Sequence, residues 1–200
     1  MKNRVPHRRP LSVCVFAGAR TGSSRHASAA AEELGSLLGS RGHRLIYGGG
    51  GSGLMGTLAW SAHHAGAEVV AVMPTFLYEI ERGIAAPPQT LRLTTTMTER
   101  KARMIEAADA FVALPGGFGT LDEVFEVLCL TYLEQHTKPL VLLDVEDAWR
   151  GLHTLVDEIC RHGYADRDRC GLHMVARPAE AIATIEAEAV GHDVSEEAMC

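Results

Sequence analysis

Short, almost wholly apolar runs punctuate this chain, and the segments between them carry apolar residues at helical spacing. Runs at residues 11–16, 44–47, 68–73, 110–114 and 139–143 are too short for helices and lack the alternation of a half-solvated strand. They predict strands buried on both faces. Residues 91–95, with β-branched threonines, predict one more strand. Ala27, Ala31, Leu34, Leu37 and Leu38 mark a helix over residues 24–41. Further helices are predicted over residues 54–65, 99–108, 121–133, 148–162 and 178–189. Residues 76–90 hold Gly83, Pro87 and Pro88 and predict a short helix followed by a loop.

Alternation of strand and helix predicts a doubly wound α/β fold. A parallel sheet is covered by helices on both faces, in a single domain over residues 11–190. Ligands of such sheets bind beyond the carboxyl ends of the strands. Glycine turns at Gly18, at residues 48–56 and at residues 116–119 each follow a strand and open a helix. All three are therefore expected on one edge. Close packing accounts for one or two glycines in such turns. Four in a row, then Gly53, Gly116, Gly117 and Gly119, suggest bare backbone against a ligand. N–H groups exposed at helix starts favour an anion, with one phosphate the best candidate.

The turn YGGGGSGLMG contains GxGxxG twice, but no acidic residue ends the next strand to hold a ribose, which argues against a dinucleotide site. Thr57 follows Gly56 where a phosphate-loop lysine would stand, which argues against a nucleoside triphosphatase.

Composition sharpens this picture modestly. The 200 residues are 46% hydrophobic and 22% charged, with a net charge of −6. Their one basic cluster, residues 2–9, belongs to an expected flexible arm over residues 1–10, so no nucleic-acid partner is expected. With the next apolar run that arm imitates a secretory leader. The run reads better as the first strand, because a glycine turn and a helix follow it. No stretch is apolar for long enough to span a bilayer. Five cysteines, an odd number with no CxxC pair, point to a reducing, cytoplasmic compartment. Cys14 and Cys129 sit among apolar residues and read as core. No metal-binding spacing occurs, and no metal or cofactor is expected. The last residues, 191–200, read as a polar tail that frays.

Two stretches carry candidate chemistry. In MTERKARM, Met97, Met104, Ile105 and Ala108 share a helix face with Arg100 at its edge. The Arg100 guanidinium can fork onto a phosphate or carboxylate, or extend to solvent. In LPGGFGTLDEVFEVL, Thr120 and Glu123 fit a capping box, which would make Glu123 structural. The same residues follow a phosphate-suited turn, which would set Glu123 over a ligand.

Together, PGGFGTLDE, MTERK and YGGGGSGLMG resemble the PGGxGTxxE and MxxRK motifs of the LOG ("lonely guy") family, cytokinin riboside 5′-monophosphate phosphoribohydrolases often labelled lysine decarboxylases. The resemblance runs from about Val13 to Ala189. It implies a Rossmann-like fold and a homodimer with sites at the subunit interface. It also implies cleavage of the N-glycosidic bond of an N6-modified adenosine 5′-monophosphate, giving free base and ribose 5-phosphate. Arg100 and Glu123 match the catalytic pair. Gly116, Gly117, Gly119 and Thr120 match the phosphate loop, Lys101 a second basic residue, and Glu81 a nucleotide contact. Gly18, Gly50 and Met97 complete the expected substrate-binding set. Ala17 and Ala19 depart from the CGSSxG of the first turn, and Thr98 replaces a histidine. Two alternatives stand beside this reading: a nucleosidase for AMP or another nucleoside monophosphate, and a non-catalytic carrier of molybdenum cofactor.

Overall fold

In the computed structural model, which describes residues 9–197 with side chains through residue 189, one sheet organises the chain. Its strands are β1 (Ser12–Phe16), β2 (Arg44–Tyr47), β3 (Val69–Pro74), β4 (Thr90–Thr94), β5 (Ala110–Ala113), β6 (Leu140–Leu143) and β7 (Leu172–Val175). All pair in parallel, in the order β4-β3-β2-β1-β5-β6-β7. The helices are α1 (Arg25–Ser40), α2 (Gly53–His64), α3 (Thr75–Ile80), α4 (Met97–Ala107), α5 (Phe118–Tyr132), α6 (Arg150–Arg161) and α7 (Pro178–Glu197). The Rossmann-like expectation holds.

Strand pleating divides the core into two layers. Val13 and Val15 point to the side covered by α1, α2 and α7, where Leu34, Leu38, Leu58 and Ile185 are fully buried. Cys14 and Phe16 point to the other side, against Met104 of α4, Val124 and Val127 of α5 and Val156 of α6. Period-two alternation thus places adjacent residues of one apolar strand in different layers.

Strand order reverses at β1. Successive strands run outward from β1 to β4 on one side and through β5 to β7 on the other. The crevice between the carboxyl ends of β1 and β5 is therefore the switch point where this fold class takes ligands.

Several expectations need correction. β7 was not anticipated, because Leu172–Val175 is a half-exposed edge strand without a continuous apolar run. Cys129 is exposed on α5 and is not core, whereas Cys14 is buried. α5 begins at Phe118, three residues before the expected start, and α7 continues to Glu197 where residue 189 was expected to end it. Residues 1–8 of the expected arm, and the side chains of the expected tail over 191–200, lie outside the described residues. No helix of the described residues is long and apolar enough to cross a membrane.

Candidate active site

A cavity of about 740 Å³ opens at the switch point, within the range of small-molecule sites. All three glycine turns contribute to it, through Gly18, Gly48, Gly116, Gly117 and Gly119. They also brace one another. The Gly18 N–H donates to the Pro115 carbonyl at 3.2 Å, and the Met55 N–H donates to the Gly18 carbonyl at 3.2 Å.

The turns differ in why they are glycine. A Cβ at Gly48 would overlap the Arg100 guanidinium, and one at Gly51 would strike the Ala85 carbonyl. Packing thus explains most of the run at residues 48–53, more than the sequence suggested. Gly117 and Gly119 are different: a Cβ on either would meet nothing within 4 Å. They line the cavity, and no neighbour forces them to be glycine. Gly117 is also the N-cap of α5 and brings no capping side chain, so the first-turn N–H groups have no side-chain cap.

Arg100 and Glu123 meet here. α4 carries Arg100 one turn from its start, 8% exposed, and its Nε–H donates to the Val72 carbonyl at 3.2 Å, near the end of β3. α5 carries Glu123, 6% exposed, with Oε1 at 3.1 Å from Arg100 Nη2. That separation is an ion-pair distance, but the N–H is not aligned on the oxygen, and Oε1 has no hydrogen-bond donor. Burial raises the Glu123 carboxyl to about 7; Arg100 pulls it down, but by less. A buried carboxylate short of donors, paired with a cation and facing a cavity, fits a catalytic group better than a structural one.

The capping box is not formed. Because α5 starts at Phe118, Thr120 lies inside the first turn, buried against Gly116, and cannot act as N-cap. The capping signal is realised elsewhere: Thr96 Oγ1 accepts from the Glu99 N–H at 3.1 Å and starts α4.

Of the expected substrate-binding residues, Gly18, Glu81, Met97, Gly116, Gly117, Gly119 and Thr120 line the cavity with Arg100 and Glu123. Glu81 follows α3, and its Oε2 is buried without a hydrogen-bond partner. Two do not line it. Lys101 points along the α4–α5 seam, with Nζ at 2.9 Å from Asp122 and 2.5 Å from Glu126. Gly50 sits behind the wall, where a Cβ would meet Met55 and Glu81. Met55, Leu77 and Arg20 line the cavity and were not singled out from the sequence. The pattern of turns located the site, but side chains from α2 and α3 enter it only through the fold.

The arrangement defines a parallel α/β protein with a buried Arg–Glu pair beside converging glycine turns at the switch point. A family model described as "Possible lysine decarboxylase" matches residues 55–185. Among curated relatives, "Cytokinin riboside 5'-monophosphate phosphoribohydrolase LOG7" of Arabidopsis thaliana is 39% identical over 76% of this chain and 70% of its own. "Probable cytokinin riboside 5'-monophosphate phosphoribohydrolase LOGL9" of Oryza sativa subsp. japonica is 41% identical over 82% and 72%. The chain belongs to this LOG family. Among solved structures, the Moco carrier protein of Chlamydomonas reinhardtii superposes with a TM-score of 0.68 over 92% of this chain and 99% of its own, at 23% identity, a likeness of fold alone. The decarboxylase label does not fit the site. Among the described residues, no lysine lines the cavity to hold pyridoxal phosphate as a Schiff base.

Proposed function

We propose that this chain hydrolyses the N-glycosidic bond of a nucleoside 5′-monophosphate, with an N6-modified adenosine monophosphate as substrate, releasing free base and ribose 5-phosphate. The Arg100–Glu123 pair carries the reading, buried at 3.1 Å beneath the open turn at residues 116–119. Relatives covering most of the chain are named for this reaction.

Breaking the bond between C1′ and the base nitrogen builds positive charge on C1′ and the ring oxygen. An ionised Glu123 stabilises that charge and takes a proton from water as the water oxygen bonds to C1′. The electron pair of the broken bond leaves on the base nitrogen, which takes up a proton from solvent, and Glu123 then returns the water proton to solvent. Arg100 holds Glu123 in place and faces the nucleotide. The N–H groups at the start of α5 take the phosphate. Leu77, Met55 and Met97 provide an apolar wall for the base.

We further propose a cytoplasmic homodimer with the sites at its interface. Phe118 is 93% exposed beside the cavity, and Phe125 is exposed two turns further along α5, an apolar surface suited to a second copy. Sedimentation showing monomer alone would sink this arrangement.

The reaction is tested by assaying ribose 5-phosphate release from AMP, an N6-prenyl-AMP and pyrimidine monophosphates. Release from the N6-prenyl nucleotide, lost in Glu123→Ala and Arg100→Ala, supports the reading. Preference for plain AMP would make the chain an AMP nucleosidase. Wild-type rates in both folded variants would overturn the assignment.

A further inference from the structure

Four charged side chains line the cavity: Arg20, Glu81, Arg100 and Glu123. Arg100 is already committed, with Nε on the Val72 carbonyl and Nη2 beside Glu123. Glu81 is acidic and adds to the negative side of the balance. The four formal charges cancel, so a phosphate dianion entering this cavity finds only one cation without a carboxylate beside it. That cation is Arg20, in the turn between β1 and α1. Among the described residues it makes no ion pair and no side-chain hydrogen bond, and its side chain is exposed at the cavity wall.

The backbone holding Arg20 is firmly placed. Gly53 takes φ +63, and a Cβ there would run into Ala19 and the Arg20 nitrogen, so the second glycine turn presses directly on this residue. Ser52 Oγ donates to the Ala19 carbonyl at 3.3 Å. On the other side, Gly18 lies against Pro115 and Gly116, at the start of the turn that opens α5. A long cationic side chain is thus rooted between two glycine turns and left without a protein partner.

We propose that Arg20 is the phosphate-anchoring cation of this site, closing over the anion opposite the first turn of α5 and setting the preference for phosphorylated over unphosphorylated ligands. This rests on the nucleotide reading above. Arg100 is then free to serve Glu123 and the reacting sugar, and the two arginines divide binding from catalysis. An exposed arginine forks onto phosphate oxygens with two parallel hydrogen bonds. The desolvation cost is modest because a guanidinium is more weakly hydrated than an ammonium.

Calorimetric binding of ribose 5-phosphate and of ribose to full-length wild type, Arg20→Ala and Arg20→Lys tests the proposal without requiring turnover. Arg20→Ala is expected to weaken ribose 5-phosphate binding by roughly ten- to a hundredfold, the range for a charged hydrogen bond. Ribose binding should be unchanged, and lysine should recover part of the loss. The salt dependence of ribose 5-phosphate affinity should flatten in Arg20→Ala, because the lost interaction is screened. With AMP as substrate, KM should rise while kcat stays within about threefold, the pattern of lost uniform binding. Equal ribose 5-phosphate affinity in wild type and Arg20→Ala would overturn the proposal, as would an equal loss for ribose. Wild type that binds ribose 5-phosphate but releases base from no nucleotide would overturn the hydrolase reading alone, with Arg20 still decided by the binding comparison. Wild type that binds no ribose 5-phosphate would overturn both.

Discussion

Two buried glutamates lie at opposite edges of the sheet, and their surroundings differ. Glu186, on α7 near the amino ends of the strands, accepts from Arg41 Nη1 at 3.2 Å on both oxygens. His43 completes the group. Its Nδ1 accepts from the Leu11 N–H at 3.1 Å, so its Nε2 carries the hydrogen and donates to Glu186 Oε1 at 3.2 Å. This cluster ties the approach to β1, the approach to β2, the end of α1 and the body of α7. Glu123, at the carboxyl edge, has one cation at 3.1 Å, no aligned donor on Oε1, and a carboxyl raised to about 7. A structural carboxylate is given donors until its charge is settled. A functional one is left short, so that substrate or water completes the set.

The sharpest way to break this comparison is to remove the Glu123 charge while keeping its shape. Glu123→Gln is expected to lower ribose 5-phosphate release by roughly two to four powers of ten, the usual cost of one acid–base or charge-stabilising group. Its Tm should stay level or rise, because the substitution also removes the penalty of burying an ionised group. Scanning calorimetry beside the assay checks both halves. A Tm lower by several degrees would make Glu123 a second Glu186.

Titration probes the same contrast at smaller amplitude. If the ionised form of Glu123 works, kcat/KM should fall about tenfold per pH unit below about 7, where the carboxyl takes up its proton. Stability has the opposite sign. The folded-state value lies above the ordinary 4.5, so protonation of this group favours the folded chain. That contribution is fully present below 4.5 and is lost as pH rises through about 7. Glu123→Gln should remove this slope from the stability profile. Identical profiles in the two proteins would show that Glu123 does not titrate in this window.

How much of this was legible in the sequence depends on what carried the information. The apolar runs located five of the seven strands, because a strand buried on both faces has few polar residues to blur it, and the β-branched threonines of exposed β4 located a sixth. β7 was missed for the converse reason, since half-exposed LHMV carries no such run. Convergence of the glycine turns followed from parallel topology, and the cavity lies there. The start of α5 was misplaced because Gly-Phe-Gly reads as loop, and Thr120 then passed for an N-cap. Lys101 was expected at the ligand from its match to the MxxRK motif, but one helical step from Arg100 turns it to Asp122 and Glu126. Burial of Arg100 depended on a carbonyl of β3 and a glutamate of α5, both far away in sequence. Spacing within α4 could place it only at an edge.

The amino-edge cluster should respond in the reverse way to the carboxyl edge. His43→Ala leaves the Leu11 N–H without its acceptor and Glu186 without one donor, in a region where water has little access. A loss of about 1–3 kcal/mol is expected, the cost of stranding buried polar groups. Urea unfolding measures it, and kcat for the surviving folded protein should match wild type. A kcat that falls with stability unchanged would erase the division between the two edges.

A third carboxylate marks the mild end of the series. Glu99 is partly exposed, and its Oε2 accepts from the Thr95 N–H at 2.8 Å and the Thr95 hydroxyl at 2.7 Å. Those bonds hold its carboxyl below the ordinary value, with help from Arg103. With Thr96 Oγ1 on the Glu99 N–H, they fix the first turn of α4, and Arg100 is the next residue. Thr96→Ala should therefore cost about 1 kcal/mol, as for other threonine caps. It should also lower kcat by a few-fold, because the frayed turn lets the Arg100 guanidinium drift from Glu123. Thr96→Ser keeps the capping oxygen and should restore both. If the serine variant recovers stability but not kcat, the cap and the carboxyl edge are uncoupled, and Arg100 is held by the Val72 carbonyl alone.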